Sequence, residues 1–187
     1  MKKLILVFFM CFTTHSYALE VAGVKLDEQL MLDTHQLVLN GAGIGTEFFF
    51  KVYVAGLYLG EKIHTSAGIM ENGGAKKLLL YMLRDIRGKD MFDAINDVIP
   101  ANHSAEEMKV LDTRLQKLSR IFTSVNEIKK GEVIVFDYFP AAGTRLTVGG
   151  VEWGYIDGLD FNRALLKVWV GEKPAQASLK QSLLGVK

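Results

Sequence analysis

The sequence has almost no cysteine and little net charge. Only one of its 187 residues is a cysteine, which excludes an internal disulfide and a zinc site built from cysteines. The formal net charge is +1, whereas proteins that bind nucleic-acid phosphates usually carry a clear surplus of Lys and Arg. Hydrophobic residues nevertheless make up 49% of the chain, so general disorder is excluded and a substantial core is expected.

Familiar catalytic and metal-binding motifs are also missing. There is no G-x-S-x-G nucleophile motif and no H-E-x-x-H metal motif. His35, His64 and His103 fall in predicted loops or beside turns, where surface positions are the simplest interpretation. The glycines at 41, 43 and 45 precede an aromatic strand, whereas a nucleotide loop precedes a helix. We therefore expect no metal and no cofactor.

Residues 1–18 have the pattern of a secretory signal peptide. Two lysines precede the apolar run Leu4–Phe12, and Ser16-Tyr17-Ala18 is a small-x-small cleavage site. The apolar run is too short for a bilayer span, which needs about 20 residues. We expect cleavage near Ala18, a periplasmic or secreted protein and no membrane span in the mature chain. The alternatives are a buried helix or an uncleaved anchor. Cleavage removes two lysines, the cysteine and no acid, so the net charge becomes −1.

The order of predicted elements indicates an α+β fold in one domain, residues 19–187. Alternation and turn signals predict strands at 19–26, 30–32, 37–39, 46–59, 77–86, 132–139, 144–148 and 151–156. Helical spacing predicts helices at 67–71, 89–99, 104–125 and 160–170 and a short one after Pro174, while glycines at 41–45 break the strand pattern. Since strands and helices do not alternate, we expect an antiparallel sheet with helices gathered on one face.

Polar residues on the aromatic strands are the candidates for ligand binding. Lys51, Tyr53, Tyr81 and Arg84 stand among apolar residues, and Asp137 lies on a later strand. A cation or a phenol on an apolar sheet face could orient the head group of a hydrophobic ligand. The alternative for each is a solvent-facing or edge position. Both tryptophans are interpreted as core residues.

Three segments are typical of one protein family. They are NGAGIGTEFFFKVYVAGLYL at Asn40–Leu59, LLLYMLRDIRGKDMFDAI at Leu78–Ile95, and the segment Gly149–Gly185 with the spacing G..F..ALL.VW.G..P. Together they resemble the chalcone isomerase-like family, specifically its exported bacterial branch. The resemblance covers nearly the whole mature chain. It implies an open-faced β-sandwich, in which a long antiparallel sheet carries helices packed on one face.

The resemblance also implies which positions to compare with the family's enzymes. Those enzymes cyclise chalcones, while other members are non-catalytic or bind fatty acids. In the enzymes an arginine after the glycine-rich turn holds the phenolate, and a hydroxyl residue on the next strand, a tyrosine and an asparagine order water at the ketone. The arginine position is Gly45 here, and the hydroxyl position is Tyr53. The other two positions fall at Met91 or Phe92, and at Val98.

Three hypotheses follow for the function. The first is a non-catalytic protein that binds a fatty acid or another amphipathic small molecule. Its candidate ligand-binding residues are Gly45, Thr46, Lys51, Tyr53, Tyr81 and Arg84. The second is an isomerase or lyase acting on a chalcone-like substrate through a rearranged site that includes Tyr53. The third is a structural or partner-binding protein of the cell envelope.

Overall fold

A seven-stranded antiparallel sheet forms the centre of the computed structural model, which describes residues 18–186. The predicted signal peptide therefore lies outside the described residues, apart from Ala18. The strands are β1 (Ala18–Val21), β2 (Val24–Asp27), β3 (Gln29–Leu32), β4 (His35–Glu47), β5 (Phe50–Leu59), β6 (Lys76–Met82), β7 (Ile86–Arg87), β8 (Glu127–Ile128), β9 (Val133–Phe139), β10 (Gly143–Val148) and β11 (Val151–Ile156). The large sheet has the order β11-β10-β9-β6-β5-β4-β3, and β1–β2 and β7–β8 form separate pairs.

The helices lie mainly on one face of this sheet. They are α1 (Ser66–Glu71), α2 (Gly88–Asn96), α3 (Ala105–Val125), α4 (Leu159–Val170) and α5 (Ala177–Leu183), with a 3-10 turn at Ile99–Asn102. Ala55, Leu57 and Leu80 of the sheet share the main core with Leu118 and Phe161 of the helices. The predicted α+β fold, an antiparallel sheet with helices packed on one face, is confirmed.

The opposite face of the sheet carries a smaller core. Leu26 of the β1–β2 hairpin packs there with Leu37, Val54 and Tyr58. Val54 and Tyr58 alternate along β5 with residues of the main core, so β5 is covered on both sides. This confirms the sequence interpretation of a strand with two apolar faces.

Helix α3 begins where its sequence predicts. The Ser104 hydroxyl accepts a hydrogen bond from the Glu107 backbone N–H at 3.2 Å, and the Glu107 carboxylate accepts one from the Ser104 N–H at 2.7 Å. This reciprocal capping box satisfies two backbone donors that a helix start would leave free. The predicted apolar stripe faces the core through Leu111, Leu115, Leu118 and Ile121.

The prediction that glycines 41–45 interrupt a strand is wrong. Strand β4 runs through them without a break. A Cβ atom on Gly41 would lie 2.1 Å from the Ser182 carbonyl oxygen, and one on Gly43 would lie 2.6 Å from the Ser182 Cβ. These glycines therefore allow α5 to pack directly on the strand, rather than forming a turn.

Several predicted strands differ in their bounds. The predicted strand 46–59 contains the end of β4, a two-residue turn at Phe48-Phe49 and the whole of β5, since Glu47 pairs with Phe50. The turn has none of the Gly, Asn or Asp residues that normally signal one. Likewise, predicted strand 19–26 is the β1–β2 hairpin, turning at Ala22-Gly23 with positive φ at both residues.

Candidate functional site

A cavity of about 400 Å³ opens between the end of the β4–β5 hairpin and helices α2 and α4. Its lining residues are Thr46, Glu47, Val52, Tyr53, Arg84, Asp85, Ile86, Arg87, Asp90, Met91, Ala94, Ile95, Glu127, Val168, Trp169, Ala175 and Gln176. The volume lies at the lower end of the range of about 300–1,000 Å³ typical of small-molecule sites.

The inner part of the cavity is apolar. Val52, Met91, Ile95 and Val168 are all buried and belong to the main core. The charged lining residues are mostly exposed, so they form the rim. The cavity therefore suits a molecule with an apolar body and a polar end near the solvent.

Tyr53 and Trp169 supply the polar chemistry of the inner part. The buried indole N–H of Trp169 donates a hydrogen bond to the Tyr53 hydroxyl oxygen at 3.0 Å. No acceptor for the Tyr53 O–H is present among residues 18–186, so its proton is available to a ligand. Burial raises the pKa of Tyr53, and the Trp169 hydrogen bond lowers that pKa by less. At neutral pH the side chain is therefore a neutral hydrogen-bond donor, not a phenolate base.

The Tyr53 ring also occupies the space beside Gly45. The two residues are direct partners in the β4–β5 register. A Cβ atom on Gly45 would lie only 2.2 Å from Cζ of the phenol ring. While Tyr53 keeps this orientation, position 45 cannot carry any side chain.

The rim carries four carboxylates and two arginines. Arg87 forms an ion pair with Asp90 at 2.7 Å, which raises the pKa of Arg87 and lowers the pKa of Asp90. Arg84 lies over the Phe50 ring, with its guanidinium carbon 5.6 Å from the ring centroid. Among the described residues Arg84 has no carboxylate partner, so it is the rim arginine left for an anionic ligand.

Two hydrogen bonds of the Thr46 backbone, and a third from its hydroxyl to the Gln176 side-chain oxygen at 3.2 Å, tie the segment before α5 to the cavity edge. The Thr46 backbone N–H donates to the Gln176 side-chain oxygen at 3.1 Å, and the Gln176 amide donates back to the Thr46 carbonyl. The pair resembles one rung of a β ladder. It positions the Ala175-Gln176 segment, which completes the cavity wall.

The predicted site residues do not all come together. Thr46, Tyr53 and Arg84 line the cavity, and Gly45 lies beneath the Tyr53 ring. Lys51 is exposed and lies outside the lining. Tyr81 packs against the smaller core on the opposite face.

Asp137, a further polar candidate from the sequence, forms ion pairs between neighbouring strands of the sheet. Its carboxylate oxygens lie 2.6 Å from the Lys77 ammonium and 2.9 Å from the Arg145 guanidinium. Lys77 and Arg145 are its cross-strand partners on β6 and β10. All three groups lie away from the cavity.

Sequence reasoning missed the role of Trp169. The interpretation as a core residue is correct for its ring, which is buried, but not sufficient for its N–H. The hydrogen bond joins residues 116 positions apart, and no local pattern indicates it. The Gln176 contact with Thr46 spans 130 positions and was missed for the same reason.

The comparisons with known proteins agree with this architecture. The sequence pattern described as chalcone isomerase-like matches residues 18–185. The chain belongs to the chalcone isomerase-like family. The crystal structure of a fatty-acid binding protein from Arabidopsis thaliana shares the fold, with a TM-score of 0.66 and 15% sequence identity. The match covers 90% of this chain and 96% of the plant chain. No curated protein matches the sequence.

The resemblance predicts that Gly45 stands at the position of the enzymes' arginine and that Met91 or Phe92 stands at the position of their tyrosine. In the structure Met91 contributes an apolar wall to the cavity. Among residues 18–186, no cluster of three or more His, Cys, Asp or Glu side chains could hold a metal ion. No helix in this range is both long and apolar enough to cross a membrane.

Proposed function

We propose that the cavity binds a fatty acid or a related amphipathic small molecule and that the protein has no chalcone isomerase activity. The observation that carries the proposal is an open cavity with an apolar inner wall and a neutral, fixed phenol inside. At its rim stands Arg84, which has no carboxylate partner among residues 18–186. The fold shared with a plant fatty-acid binding protein supports the same ligand class.

Arg84 is the proposed partner for the ligand carboxylate. A carboxylate stays ionised beside a cation, and a charge-assisted hydrogen bond is roughly twice as strong as a neutral one. The rim carboxylates would repel a ligand anion elsewhere, and Arg87 is already paired with Asp90. In this pose the acyl chain lies along Val52, Met91 and Val168. The Tyr53 hydroxyl would donate only to a related ligand that carries a second oxygen on its chain, such as a hydroxy acid.

Extraction and titration test the proposal. Solvent extracts of the purified protein are examined by mass spectrometry, and the delipidated protein is titrated with fatty acids from C8 to C18. We expect a retained acid, or saturable binding that favours the shorter members because the cavity is small. No retained lipid together with no saturable binding would reject the proposal.

Two variants, each with a matched control, distinguish binding in the cavity from nonspecific binding. Arg84→Gln should weaken carboxylate binding by about tenfold or more, and Arg120→Gln, an exposed arginine on α3, should leave it unchanged. Ala94→Phe should block the cavity, and Ala105→Phe, at an exposed helical alanine elsewhere, should not. Equal effects of a variant and its control would show binding outside the cavity.

The loss of isomerase activity follows from the missing donors. Cyclisation needs a held phenolate and donors aligned on the ketone, and losing one such donor typically costs about 10²–10³ in rate. Here Gly45 and Met91 supply none. The protein should therefore leave the spontaneous rate of naringenin chalcone loss unchanged. A faster loss that Tyr53→Phe abolishes would favour the alternative of a rearranged isomerase.

We also propose that the protein is exported after cleavage near Ala18 and belongs to an exported bacterial branch of the family. The signal-peptide pattern supports this proposal. Strand β1 begins at Ala18, so cleavage there would cost the strand only its first residue. N-terminal sequencing of protein from the periplasmic and extracellular fractions should return Leu19 or a neighbouring residue. Full-length protein confined to the cytoplasm would contradict export.

A further inference from the structure

Three consecutive phenylalanines project from the end of the β4–β5 hairpin. Phe48, Phe49 and Phe50 are 87%, 98% and 65% exposed. Single exposed apolar residues are common on protein surfaces, but contiguous apolar patches usually mark a binding surface. We call these three residues the aromatic tip.

Packing within the fold does not explain why phenylalanines occupy this turn. Phe48 adopts a positive φ of 54°, a region that L-residues other than Gly, Asn and Asp rarely visit. Two-residue hairpin turns strongly prefer those small residues at such positions. A bulky side chain that breaks the local rule and packs on almost nothing points to a contact outside the chain.

We propose that the aromatic tip inserts into the interface of a phospholipid bilayer. A standard protein interface buries about 800 Å² per partner over some 20–30 residues, which suits a broad patch. The aromatic tip is instead a narrow projection at the end of a two-stranded ribbon. Shallow burial of a few Phe side chains at the boundary between head groups and acyl chains matches that shape.

The charges beside the aromatic tip favour an anionic surface. Lys51 follows the tip on β5, Arg84 lies over the Phe50 ring, and Glu47 precedes the tip. The three charges directly beside the tip sum to +1, and the remaining charged rim residues, Asp85, Asp90 and Glu127 with Arg87, line the cavity behind them. Basic residues near a membrane gain energy from anionic head groups. The lipid class is therefore one that includes anionic phospholipids.

This inference goes beyond ligand binding and does not depend on it. Thr46 and Glu47 line the cavity immediately before the aromatic tip. Arg84 also lines the cavity, and it lies over the Phe50 ring of the tip. Insertion of the tip would therefore place the cavity rim close to the bilayer surface. Amphipathic molecules partition into that region.

Vesicle flotation tests the inference. Protein recovered from cells that express the full-length sequence is mixed with phosphatidylcholine vesicles, with or without phosphatidylglycerol. We expect flotation with both, stronger with phosphatidylglycerol. Phe48→Asn/Phe49→Ser should lower the apparent affinity by about tenfold or more, since two aromatic side chains no longer leave water. The control Val110→Ser, at a 60% exposed residue on α3, should float like the wild type.

Three results would overturn the inference. They are wild-type protein that does not float, a double variant that floats as well as the wild type, and Phe-dependent self-association without vesicles. Lys51→Gln should reduce only the extra flotation caused by phosphatidylglycerol. Fatty-acid titration without vesicles should be unchanged in the double variant, so failure of this inference and failure of ligand binding are distinguishable.

Discussion

The phenol ring of Tyr53 lies across Gly45, its direct partner on the neighbouring strand. An aromatic ring over a cross-strand glycine restores the packing that the glycine lacks. By the resemblance, these two positions are the ones predicted to hold an arginine and a smaller hydroxyl residue in the family's enzymes. An arginine introduced at position 45 alone should not fit, because the Tyr53 ring already occupies that space.

An arginine at position 45 should be tolerated only with a smaller residue at position 53. Gly45→Arg should destabilise the fold by about 1–3 kcal/mol through overpacking against the ring. Gly45→Arg/Tyr53→Thr should recover part of that loss, measured as the free energy of unfolding in urea. Gly73→Arg is the matched control, because a Cβ atom there meets nothing within 4 Å. If Gly45→Arg is as harmless as Gly73→Arg, the ring does not hold the position.

The Tyr53–Trp169 hydrogen bond should appear as an energetic coupling. In a double-mutant cycle of Tyr53→Phe and Trp169→Phe, we expect about 1 kcal/mol of coupling in unfolding free energy. The same cycle with Trp153→Phe should show almost none, since Trp153 only packs against the main core. Equal coupling in both cycles would assign the effect to packing rather than to the hydrogen bond.

Alkaline pH should destabilise the protein through Tyr58. Burial, with a smaller effect from Asp27, raises the pKa of Tyr58 to about 12 from an ordinary value of 10.0. A raised folded-state pKa means that the stability is present below pH 10 and is lost as pH rises toward 12. Tyr58→Phe should flatten the fall in urea midpoint between pH 10 and 12, and it should remove one titrating phenol from the tyrosinate absorbance near pH 12. An unchanged pH profile in the variant would contradict the assignment.

Relieving the turn at the aromatic tip should stabilise the fold. Phe48→Asn places a residue that tolerates positive φ at φ 54°, and we expect a gain of about 1 kcal/mol in unfolding free energy. Phe49 does not have a positive φ, so Phe49→Asn should give no such gain. If the two substitutions have the same effect, the stabilisation comes from solvation of the tip and not from its backbone.

Local features of the chain were predictable because neighbouring residues carry them. The capping box at Ser104 and Glu107 involves residues three apart, and the stripe of α3 repeats every three or four residues. The same holds for the Gly149-Gly150 turn between β10 and β11. By contrast, the Phe48-Phe49 turn was missed because it lacks the Gly, Asn or Asp residues that indicate a hairpin turn.

The sequence by itself determined the α+β order and the family, and it predicts a departure from the enzymes at Gly45. Only the tertiary structure decided which polar residues share a site. It placed Arg84 at the cavity and Tyr81 on the other face, although they are three residues apart, and it joined Tyr53 to Trp169 across 116 positions. Periodicity and capping arise from contacts between neighbours in the chain. A cavity arises from side chains that meet only when the sheet pairs and the helices pack on it.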